Sequence, residues 1–351
     1  MFEKFREMFS ADVGLDLGTS NTQVYVKDHG IVVSEPSIVA INQKTGRVVA
    51  IGVDANHMIG RTPAHVSAIK PLEDGVVSNF ELTEEMLAYF MKKAGQAVGK
   101  QFFRPRVVVG VPSGITNVER RAVRDAVRNA GAREVHIIEE PMAAALGIRL
   151  PVHDPVGSMI IDVGGGTTDI AVLSLGGIVK SLNLHIAGEK LNQDIISYVR
   201  DEFKILLGEK TAEEVKVAIG SVWKTGEPAE ASIRGRDLVT GLPREVVITD
   251  ADVREAISAS IKTLVESVKE VLETTPPEVI SDIMHRGIML TGAGAQIRGL
   301  KELLEDELDI PIQMVADPHT AVIRGTAVVL EDLPRYREIL IDNEDEVSPR
   351  S

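Results

Sequence analysis

The sequence DVGLDLGTSNTQVYV spans Asp12 to Val26, and SMIIDVGGGTTDIAVLSL, which spans Ser158 to Leu175, repeats its pattern. Each stretch begins with a short apolar strand that carries an aspartate near its end, Asp16 in the first and Asp162 in the second. A turn of small residues then leads into a second strand of alternating apolar residues. The two stretches predict two β-hairpins, in which glycine occupies positions that need a tight turn or a close backbone approach.

A strand and a helix follow each hairpin in the same order. Arg106–Val111 (RVVVGV) has the apolar pattern of a buried strand, and Thr116–Gly131 has the period of an amphipathic helix that a glycine ends. In the second half of the chain, Gly287–Leu290 and Ile297–Leu308 repeat this order. The repetition predicts two copies of one α/β unit.

The next strand of each copy runs into an acidic residue, a proline and a helix. The acidic residue is Glu140 in the first copy and Asp317 in the second, and proline is favoured in the first turn of a helix. We therefore predict a duplicated α/β fold whose two facing domains leave a ligand-binding crevice between them. Two segments without a counterpart, 34–69 and 188–249, predict a smaller inserted subdomain in each domain.

The composition excludes several classes of protein. The 351 residues carry a formal net charge of −14, so the chain lacks the basic surface of a protein that reads nucleic acid. It contains no cysteine, which excludes disulfides, thiolate metal sites and a cysteine nucleophile. No apolar run approaches the roughly 20 residues of a membrane-spanning helix, and the first ten residues lack the pattern of a secretory signal. We expect a cytoplasmic protein without a nucleic-acid partner.

The small-residue turns of both hairpins are suited to phosphate binding. Successive backbone N–H groups at a hairpin tip form an anion-binding concavity, and the hydroxyls of Thr19 and Ser20 add donors to the first tip. Gly164–Gly166 forms the second tip. Asp16 and Asp162 beside that charge require a cation, and Mg²⁺ bound partly through water suits two carboxylates. For either turn alone, a tight hairpin without a ligand is the alternative.

Two common nucleotide-binding motifs do not occur in the sequence. Neither the P-loop pattern G-x-x-x-x-G-K-[ST] nor G-x-G-x-x-G after a predicted strand is found. A nucleotide site in this chain would therefore depend on the paired hairpins.

Several short motifs resemble those of a known superfamily. The two hairpins, EPMAAA at Glu140–Ala145 and LTGAGA at Leu290–Ala295 are similar to motifs of the actin, sugar kinase and chaperone ATPase superfamily. Further motifs resemble the MreB family of bacterial actins: Gly60–Pro63 (GRTP), Val111–Gly114 (VPSG), Glu119–Arg121 (ERR), Gly235–Leu238 (GRDL) and Thr275–Glu278 (TPPE). The chain is identified as a member of this family over residues 11–333.

The resemblance implies an actin-like ATPase fold of four subdomains with the nucleotide in the central cleft. The implied boundaries are 11–33, 70–150 and 319–336 for subdomain IA, 34–69 for IB, 151–187 and 250–318 for IIA, and 188–249 for IIB. The polar and acidic composition after Leu333 predicts that the tail, 337–351, is unstructured.

The resemblance also assigns roles to individual residues. Phosphate contacts are assigned to Thr19, Ser20, Asn21, Gly164, Gly165 and Gly166. Glu140 is assigned to polarise the attacking water and Thr167 to the catalytic site, while Asp16 and Asp162 face Mg²⁺. For Glu140 the alternative is an acid placed favourably near a helix N-terminus, and Asp317 fits that simpler role in the second copy.

The predicted nucleoside end lies in the second half of the chain. A capping-box pattern places Thr211 at the start of a helix, with Glu214 reaching back to it. The resemblance assigns ribose and base contacts to Glu213, Glu214, Val215 and Lys216, and the adenine-side loop to Gly292, Ala293, Gly294 and Ala295. An ion pair between Glu213 and Lys216, three residues apart on one helix face, is the alternative.

The sequence departs from the family's pattern at two positions. Ala293 stands where the family usually has glycine, so its Cβ must either fit a permitted φ or crowd the nucleotide. Glu189 follows Gly188 where relatives favour aspartate.

The first ten residues have the pattern of an amphipathic helix. On a helix, the apolar side chains of Met1, Phe2, Phe5 and Phe9 lie on one face and the charged residues on the other. Residues 1–10 therefore predict an amphipathic helix on the inner membrane surface, bound weakly in one copy and well in a filament with many copies. A helix packed on its own domain, or a frayed terminus, is the alternative.

The combined expectation is an actin-like cytoskeletal protein that binds ATP and Mg²⁺, hydrolyses ATP slowly and polymerises on the inner face of the cell membrane. Its expected partners are further copies of itself in paired protofilaments, the membrane, and proteins of cell shape and cell-wall synthesis. The exposed face of the Thr116 helix, with Val118, is a candidate lateral contact. Alternatives within the superfamily are a division or segregation filament protein, a small-molecule kinase and a chaperone ATPase.

Overall fold

The computed structural model describes residues 12–99, 104–224, 226 and 228–341. The strands of the first half are β1 (Val13–Leu17), β2 (Asn21–Val26), β3 (Gly30–Pro36), β4 (Val39–Asn42), β5 (Val48–Ile51), β6 (Val66–Ile69), β7 (Leu72–Glu73), β8 (Val76–Val77), β9 (Arg106–Val111) and β10 (Glu134–Glu139). Those of the second half are β11 (Ser158–Val163), β12 (Thr168–Ser174), β13 (Gly177–Leu184), β14 (Ile205–Leu206), β15 (Glu230–Asp237), β16 (Pro243–Thr249), β17 (Ile288–Thr291) and β18 (Ile312–Met314). The helices are α1 (Val53–Met58), α2 (Phe80–Ala97), α3 (Asn117–Asn129), α4 (Glu140–Gly147), α5 (Gly188–Phe203), α6 (Glu209–Ile219), α7 (Asp250–Glu273), α8 (Pro277–Arg286), α9 (Leu300–Leu308), α10 (Ala321–Glu331) and α11 (Leu333–Tyr336).

Two five-stranded sheets have the same internal order, β10-β9-β1-β2-β3 in the first and β18-β17-β11-β12-β13 in the second. In each, the hairpin strands and the strand after them pair antiparallel. The strands that are reached through helices pair parallel. We call the half built on the first sheet domain I and the other half domain II. The predicted α/β class and the duplication are confirmed.

Helices α4 and α10 join the two domains. Each follows the last strand of its own sheet and packs on the other sheet, α4 on β11 and β12 and α10 on β1, β2 and β9. A Cβ added at Gly147 would lie 2.0 Å from the carbonyl oxygen of Ala321, and one at Gly325 would lie 1.8 Å from that of Ala143. The two backbones therefore touch, which glycine alone permits.

A smaller sheet is inserted into each domain. In domain I its order is β5-β4-β6, and with α1 it encloses a small core cluster of Ile38, Ala40 and Ala55. In domain II its order is β14-β15-β16, and this sheet shares one core with the five-stranded sheet through α5 and α6.

The predicted capping box at Thr211 is wrong. Helix α6 begins at Glu209 with Gly208 as its N-cap, and no side chain caps it. The backbone N–H of Ala212 already donates to the carbonyl oxygen of Gly208 at 3.1 Å. Thr211 therefore lies inside the helix, because the helix-favouring residues Glu209 and Lys210 extend it towards the N-terminus.

The helix predicted from Ile297 begins later, at Leu300. Gly294–Gln296 forms a 3₁₀ turn instead, and Gly299 takes a positive φ of 84° before the helix starts. Apolar periodicity does not distinguish such a turn from the first turn of a helix.

The tail is not unstructured throughout. After α11 a 3₁₀ turn covers Arg337–Ile339, and Leu340 is buried. The backbone N–H of Ile341 donates to the carbonyl oxygen of Ile137 at 2.9 Å. The prediction for residues 337–341 is wrong because Tyr336 and Leu340, four residues apart, both pack into the core between the domains.

The remainder of the predicted tail, 342–351, and the predicted membrane helix, 1–10, lie outside the described residues. Within the described ranges, no helix combines the length and apolar character needed to cross a membrane.

Candidate functional site

The tips of the two hairpins touch each other. A Cβ added at Gly165 would lie 2.0 Å from the hydroxyl oxygen of Ser20, and one at Gly166 would lie 2.6 Å from that of Thr19. Each glycine thus faces a hydroxyl residue of the opposite hairpin, and a larger side chain would push the tips apart. Thr19 is buried, and its hydroxyl oxygen accepts a hydrogen bond from the backbone N–H of Gly75 at 2.7 Å.

A cavity of about 560 Å³ opens beside the tips, between the two domains. Near the tips its wall includes Ser20, Asn21, Gly164 and Gly165. The opposite wall comes from α6 and the loop after β17, with Glu213, Glu214, Lys216, Ala293 and Gly294. This volume is typical of small-molecule sites. Residues that the sequence assigned to phosphate and to nucleoside therefore line one cavity.

Carboxylates cluster at the strand ends beneath the tips. Burial raises the pKa of Asp16 to about 7. Burial and the negative charges of Asp169 and Asp16 raise the pKa of Asp162 well above its ordinary range. Glu140 has its pKa raised in the same way, by burial first and then by the charges of the three aspartates. The four groups are close enough to repel one another, so the cluster favours a positive charge beside it.

Asp169 connects the two domains below the cavity. Its carboxylate accepts hydrogen bonds from the backbone N–H of Ser113 at 2.9 Å and from the Ser113 hydroxyl at 2.5 Å. Asn183 donates to its other oxygen at 3.0 Å. Burial raises the pKa of Asp169, and these hydrogen bonds oppose the rise. The sequence predicted no role for this residue.

The far wall of the cavity contains a network around Glu213. The Lys216 ammonium lies 2.7 Å from the Glu213 carboxylate and donates to the carbonyl oxygen of Gly188 at 2.8 Å. The Asn192 amide nitrogen donates to the same carboxylate at 2.6 Å. The ion pair that the sequence allowed is therefore present, and it forms part of the cavity wall.

Comparison with known proteins identifies the family. The family model described as MreB/Mbl protein matches residues 10–338. The chain belongs to the MreB/Mbl family. The cell shape-determining protein MreB of Escherichia coli (strain K12) is 47% identical over 350 residues, covering 98% of this chain and 100% of that protein. The cell shape-determining protein Mbl of Bacillus subtilis (strain 168) is 43% identical over 328 residues, covering 93% of this chain and 98% of that protein.

A solved MreB structure confirms the actin-like fold. MreB5 of Spiroplasma citri bound to ADP superposes on this chain with a TM-score of 0.88 at 37% identity, covering 94% of this chain and 98% of that one. The predicted family and fold are therefore both confirmed.

Other predicted residues of this MreB/Mbl chain lie deeper than the cavity surface. Val215 and Ala295 are 4% and 1% exposed and belong to the core of domain II. Thr167 is buried at the second tip. Gly292 has a φ of 90°, and a Cβ on it would lie 2.2 Å from the carbonyl oxygen of Val163. Val215 points inward because consecutive residues of a helix are rotated by about 100° from each other.

Ala293 causes no backbone strain in this MreB/Mbl chain. Its φ of −65° and ψ of −37° are right-handed helical values, which any residue adopts. The departure from glycine at this position is therefore tolerated by the backbone.

The acid cluster suits Mg²⁺ as the predicted cation. Mg²⁺ takes oxygen ligands, keeps several waters and needs few carboxylates, and a cation would offset the repulsion between Asp16 and Asp162. Among the residues that the structure describes, no group of three or more His, Asp or Glu side chains forms a metal-binding cluster.

An ion-paired bridge that the sequence did not predict crosses the cleft of this MreB/Mbl chain. The Lys70 ammonium of domain I lies 2.7 Å from Glu209 and 3.1 Å from Glu189 of domain II. The Ser20 hydroxyl donates to the Glu189 carboxylate at 2.7 Å. Burial lowers the pKa of Lys70, but the two glutamates more than offset this, so the pKa is raised and the bridge stays charged. The glutamate at position 189, where relatives favour aspartate, was the one feature of the sequence that pointed to this contact.

Proposed function

We propose that this chain binds ATP with Mg²⁺ between its two domains, hydrolyses it slowly and polymerises into filaments on the inner face of the cell membrane. The observation that carries the proposal is the meeting of two small-residue tips beside one cavity and above a cluster of acids. MreB5 of Spiroplasma citri, which has the same fold, has been solved with ADP and with AMPPNP. This supports a nucleotide as the occupant of the cavity.

The two tips would hold the phosphates from opposite sides. The backbone N–H groups of Gly164–Gly166 and the hydroxyls of Thr19, Ser20 and Thr167 supply donors to phosphate oxygens. Mg²⁺, held by Asp16 and Asp162, would neutralise negative charge on the phosphates, which is the main requirement of phosphoryl transfer. Because Gly165 and Gly166 pack against Ser20 and Thr19, we expect phosphate binding to separate the two tips by a small distance.

Glu140 is the proposed proton acceptor for the attacking water. It is the first residue of α4, next to Pro141, and is partly buried at the acid cluster. Because its pKa is raised, an ionised Glu140 is a stronger base than an exposed glutamate. Positive charge beside Asp16 and Asp162 would lower that pKa and favour the ionised form. A base that is ionised only in the loaded site is consistent with slow turnover.

The biological role follows from the relatives. The MreB and Mbl proteins similar to this chain are named as cell shape-determining, and we propose the same role here, through proteins of cell-wall synthesis and shape. The proposed anchor is the amphipathic helix of residues 1–10. The four actin-type subdomains are proposed with the boundaries given by the sequence.

Calorimetry tests the nucleotide site. Titration with Mg-ATP should show binding by the full-length chain, and Asp162→Asn should weaken it by about tenfold or more because one carboxylate beside the cation is lost. Asp309→Asn is the matched control, since Asp309 is exposed and its positive φ of 52° is one that asparagine adopts readily. Wild-type affinity in Asp162→Asn would contradict the proposed cation site.

Electron microscopy on a lipid monolayer tests the filament. The full-length chain should form filaments on the lipid with Mg-ATP, and these should diminish without nucleotide. A chain lacking residues 1–10 should still bind ATP but leave the lipid bare. Dispersed particles under all conditions, with ATP still bound, would favour a kinase or chaperone type of ATPase instead.

A further inference from the structure

Glu189 connects the two hairpin tips. It is the second residue of α5, and its backbone N–H donates to the carbonyl oxygen of Gly165 in the second tip at 2.8 Å. Its carboxylate accepts a hydrogen bond from the Ser20 hydroxyl of the first tip at 2.7 Å. Ser20 and Glu189 both line the cavity between the domains, so a ligand in the cavity can reach this contact.

The Ser20 hydroxyl cannot serve two acceptors fully at once. A serine hydroxyl has one hydrogen and therefore donates one hydrogen bond. In this structure Glu189 accepts that hydrogen bond, whereas the proposed function assigns the same donor to a phosphate oxygen. A carboxylate oxygen and a phosphate oxygen are both anionic acceptors. The Glu189 carboxylate therefore occupies, at Ser20, the place that a phosphate oxygen would take.

Glu189 is held in place by two further contacts. The Lys70 ammonium lies 3.1 Å from its carboxylate, and the Glu189 side chain is 27% exposed. The carbonyl oxygen of the preceding residue, Gly188, accepts a hydrogen bond from Lys216 at 2.8 Å. An acid in the first turn of a helix is favoured by the helix dipole. The dipole accounts for an acid at the start of α5, but not for its contact with a serine of the other domain.

Glu209 allows a comparison within the same bridge. Its carboxylate lies 2.7 Å from the Lys70 ammonium and its side chain is 38% exposed, so it resembles Glu189 in charge and in counter-ion. The Ser20 hydroxyl donates to Glu189 and not to Glu209. The two glutamates therefore separate the effect of a charge in the bridge from the effect of competition for one donor.

We propose that Glu189 competes with nucleotide phosphate for the Ser20 hydroxyl and thereby lowers the affinity of the cleft for ATP. This inference rests on the proposed nucleotide site and adds to it a residue that sets its affinity. Nucleotide binding then breaks the hydrogen bond between Ser20 and Glu189 and removes one contact between the domains. Aspartate, which relatives favour at this position, would withdraw the carboxylate from Ser20 because its side chain is shorter.

Calorimetry with Mg-AMPPNP measures the competition without hydrolysis. In the full-length chain, Glu189→Gln should bind about threefold to tenfold more tightly than wild type, because a neutral amide oxygen is a weaker acceptor than a carboxylate. Loss of a purely structural contact would weaken binding, so a gain in affinity distinguishes competition from damage to the fold. Glu189→Asp keeps the charge but shortens the side chain, and it should change the affinity in the same direction.

A double-mutant cycle shows whether the gain depends on Ser20. In the Ser20→Ala background, Glu189→Gln should change the affinity by no more than about twofold, because no hydroxyl remains to compete for. Glu209→Gln is the matched control, since it removes the same charge from the same lysine. Its effect should stay within about twofold and be additive with that of Ser20→Ala. Thermal unfolding verifies that each variant is folded.

The outcomes distinguish this inference from the proposed function. Unchanged or weaker binding by folded Glu189→Gln and Glu189→Asp would overturn the competition. A gain that persists in the Ser20→Ala background, or an equal gain in Glu209→Gln, would assign the effect to charge alone and overturn it as well. Failure of the folded wild type to bind either Mg-AMPPNP or Mg-ATP would overturn the proposed function and this inference with it.

Discussion

The two copies of the α/β unit differ most where the last strand of each sheet meets its helix. In the first copy β10 passes directly into α4, which holds Glu140 partly buried at the acid cluster. In the second copy Asp317 takes a left-handed conformation with a φ of 48°, and a 3₁₀ turn, Pro318–Thr320, separates it from α10. Asp317 is exposed. One short turn thus removes an acidic residue from the cleft while the scaffold stays the same.

The helices after β9 and β17 show a second difference. In the first copy Thr116 and Glu119 form a complete capping box at the start of α3. In the second copy α9 has no side-chain cap and follows Gly299, where a Cβ would lie 2.4 Å from the Cβ of Trp223. The start of α3 is therefore set by the local sequence. The start of α9 is set by packing against Trp223, which belongs to the inserted subdomain. Local rules therefore work best in the copy with fewer tertiary constraints at that point.

The largest expected effect tests the symmetry of the helix crossing. Gly147→Ala and Gly325→Ala should each destabilise the protein by about 4 kcal/mol or more, because the added methyl meets backbone atoms that cannot move aside. Urea unfolding monitored by circular dichroism measures the change. Gly208→Ala should cost no more than about 1 kcal/mol, since its Cβ meets nothing within 4 Å and only the preference for glycine at the N-cap of α6 is lost. If only one of the two crossing glycines proved sensitive, the crossing would not be equivalent in the two copies.

A smaller effect comes from the charge of Asp16. The pKa of Asp16 is near 3.8 in the unfolded chain, and burial raises it to about 7 in the folded protein. Its burial therefore lowers stability progressively as the pH rises from about 4 to 7, and fully above that range. Without nucleotide and with EDTA, Asp16→Asn should exceed wild type in the free energy of unfolding by up to about 4 kcal/mol at pH 8. The gap should shrink towards pH 4, and a gap that is constant with pH would contradict the assigned cause.

The asymmetry between Glu140 and Asp317 is tested by kinetics. Glu140→Gln should reduce single-turnover hydrolysis of ATP about a hundredfold, which corresponds to roughly 2.7 kcal/mol, because the proton acceptor is lost. Its affinity for Mg-ATP should remain close to that of wild type. Asp317→Asn, the same change at the equivalent place in the second copy, should leave hydrolysis unchanged. Equal losses in both variants would mean that the two copies share the chemistry.

The smallest effect concerns the helix caps. Thr116→Ala should lower the free energy of unfolding by about 1 kcal/mol, because the α3 N-terminus loses its side-chain acceptor. Thr211→Ala should be neutral or slightly stabilising, since Thr211 lies inside α6 and alanine favours a helix. Thermal unfolding of the two variants side by side measures the difference. A clear loss of stability in Thr211→Ala would restore a capping role for Thr211.

Sequence patterns predicted what depends on neighbours along the chain. The hairpins at Asp16 and Asp162, the strand at Arg106–Val111 and the cap at Thr116 follow from short periods and turn residues, and the structure contains all of them. The prediction failed at Thr211 and Leu300, where a helix start depends on a preceding glycine and on packing.

Contacts between residues far apart in the chain could not be predicted from the sequence. Lys70 and Glu189 are far apart in the chain and meet only because the two domains face each other. Asp169 appeared as one more polar residue of a strand, yet it joins both domains through Ser113.

The glycine crossing of α4 and α10 has a mechanical consequence. Two backbones that touch without intervening side chains form a pivot of short radius, so rotation there displaces neighbouring atoms very little. The bridge from Lys70 to Glu189 and Glu209 crosses the cleft beside the first hairpin tip, where Ser20 also contacts Glu189. A rotation at the helix crossing would therefore change the distances within this bridge.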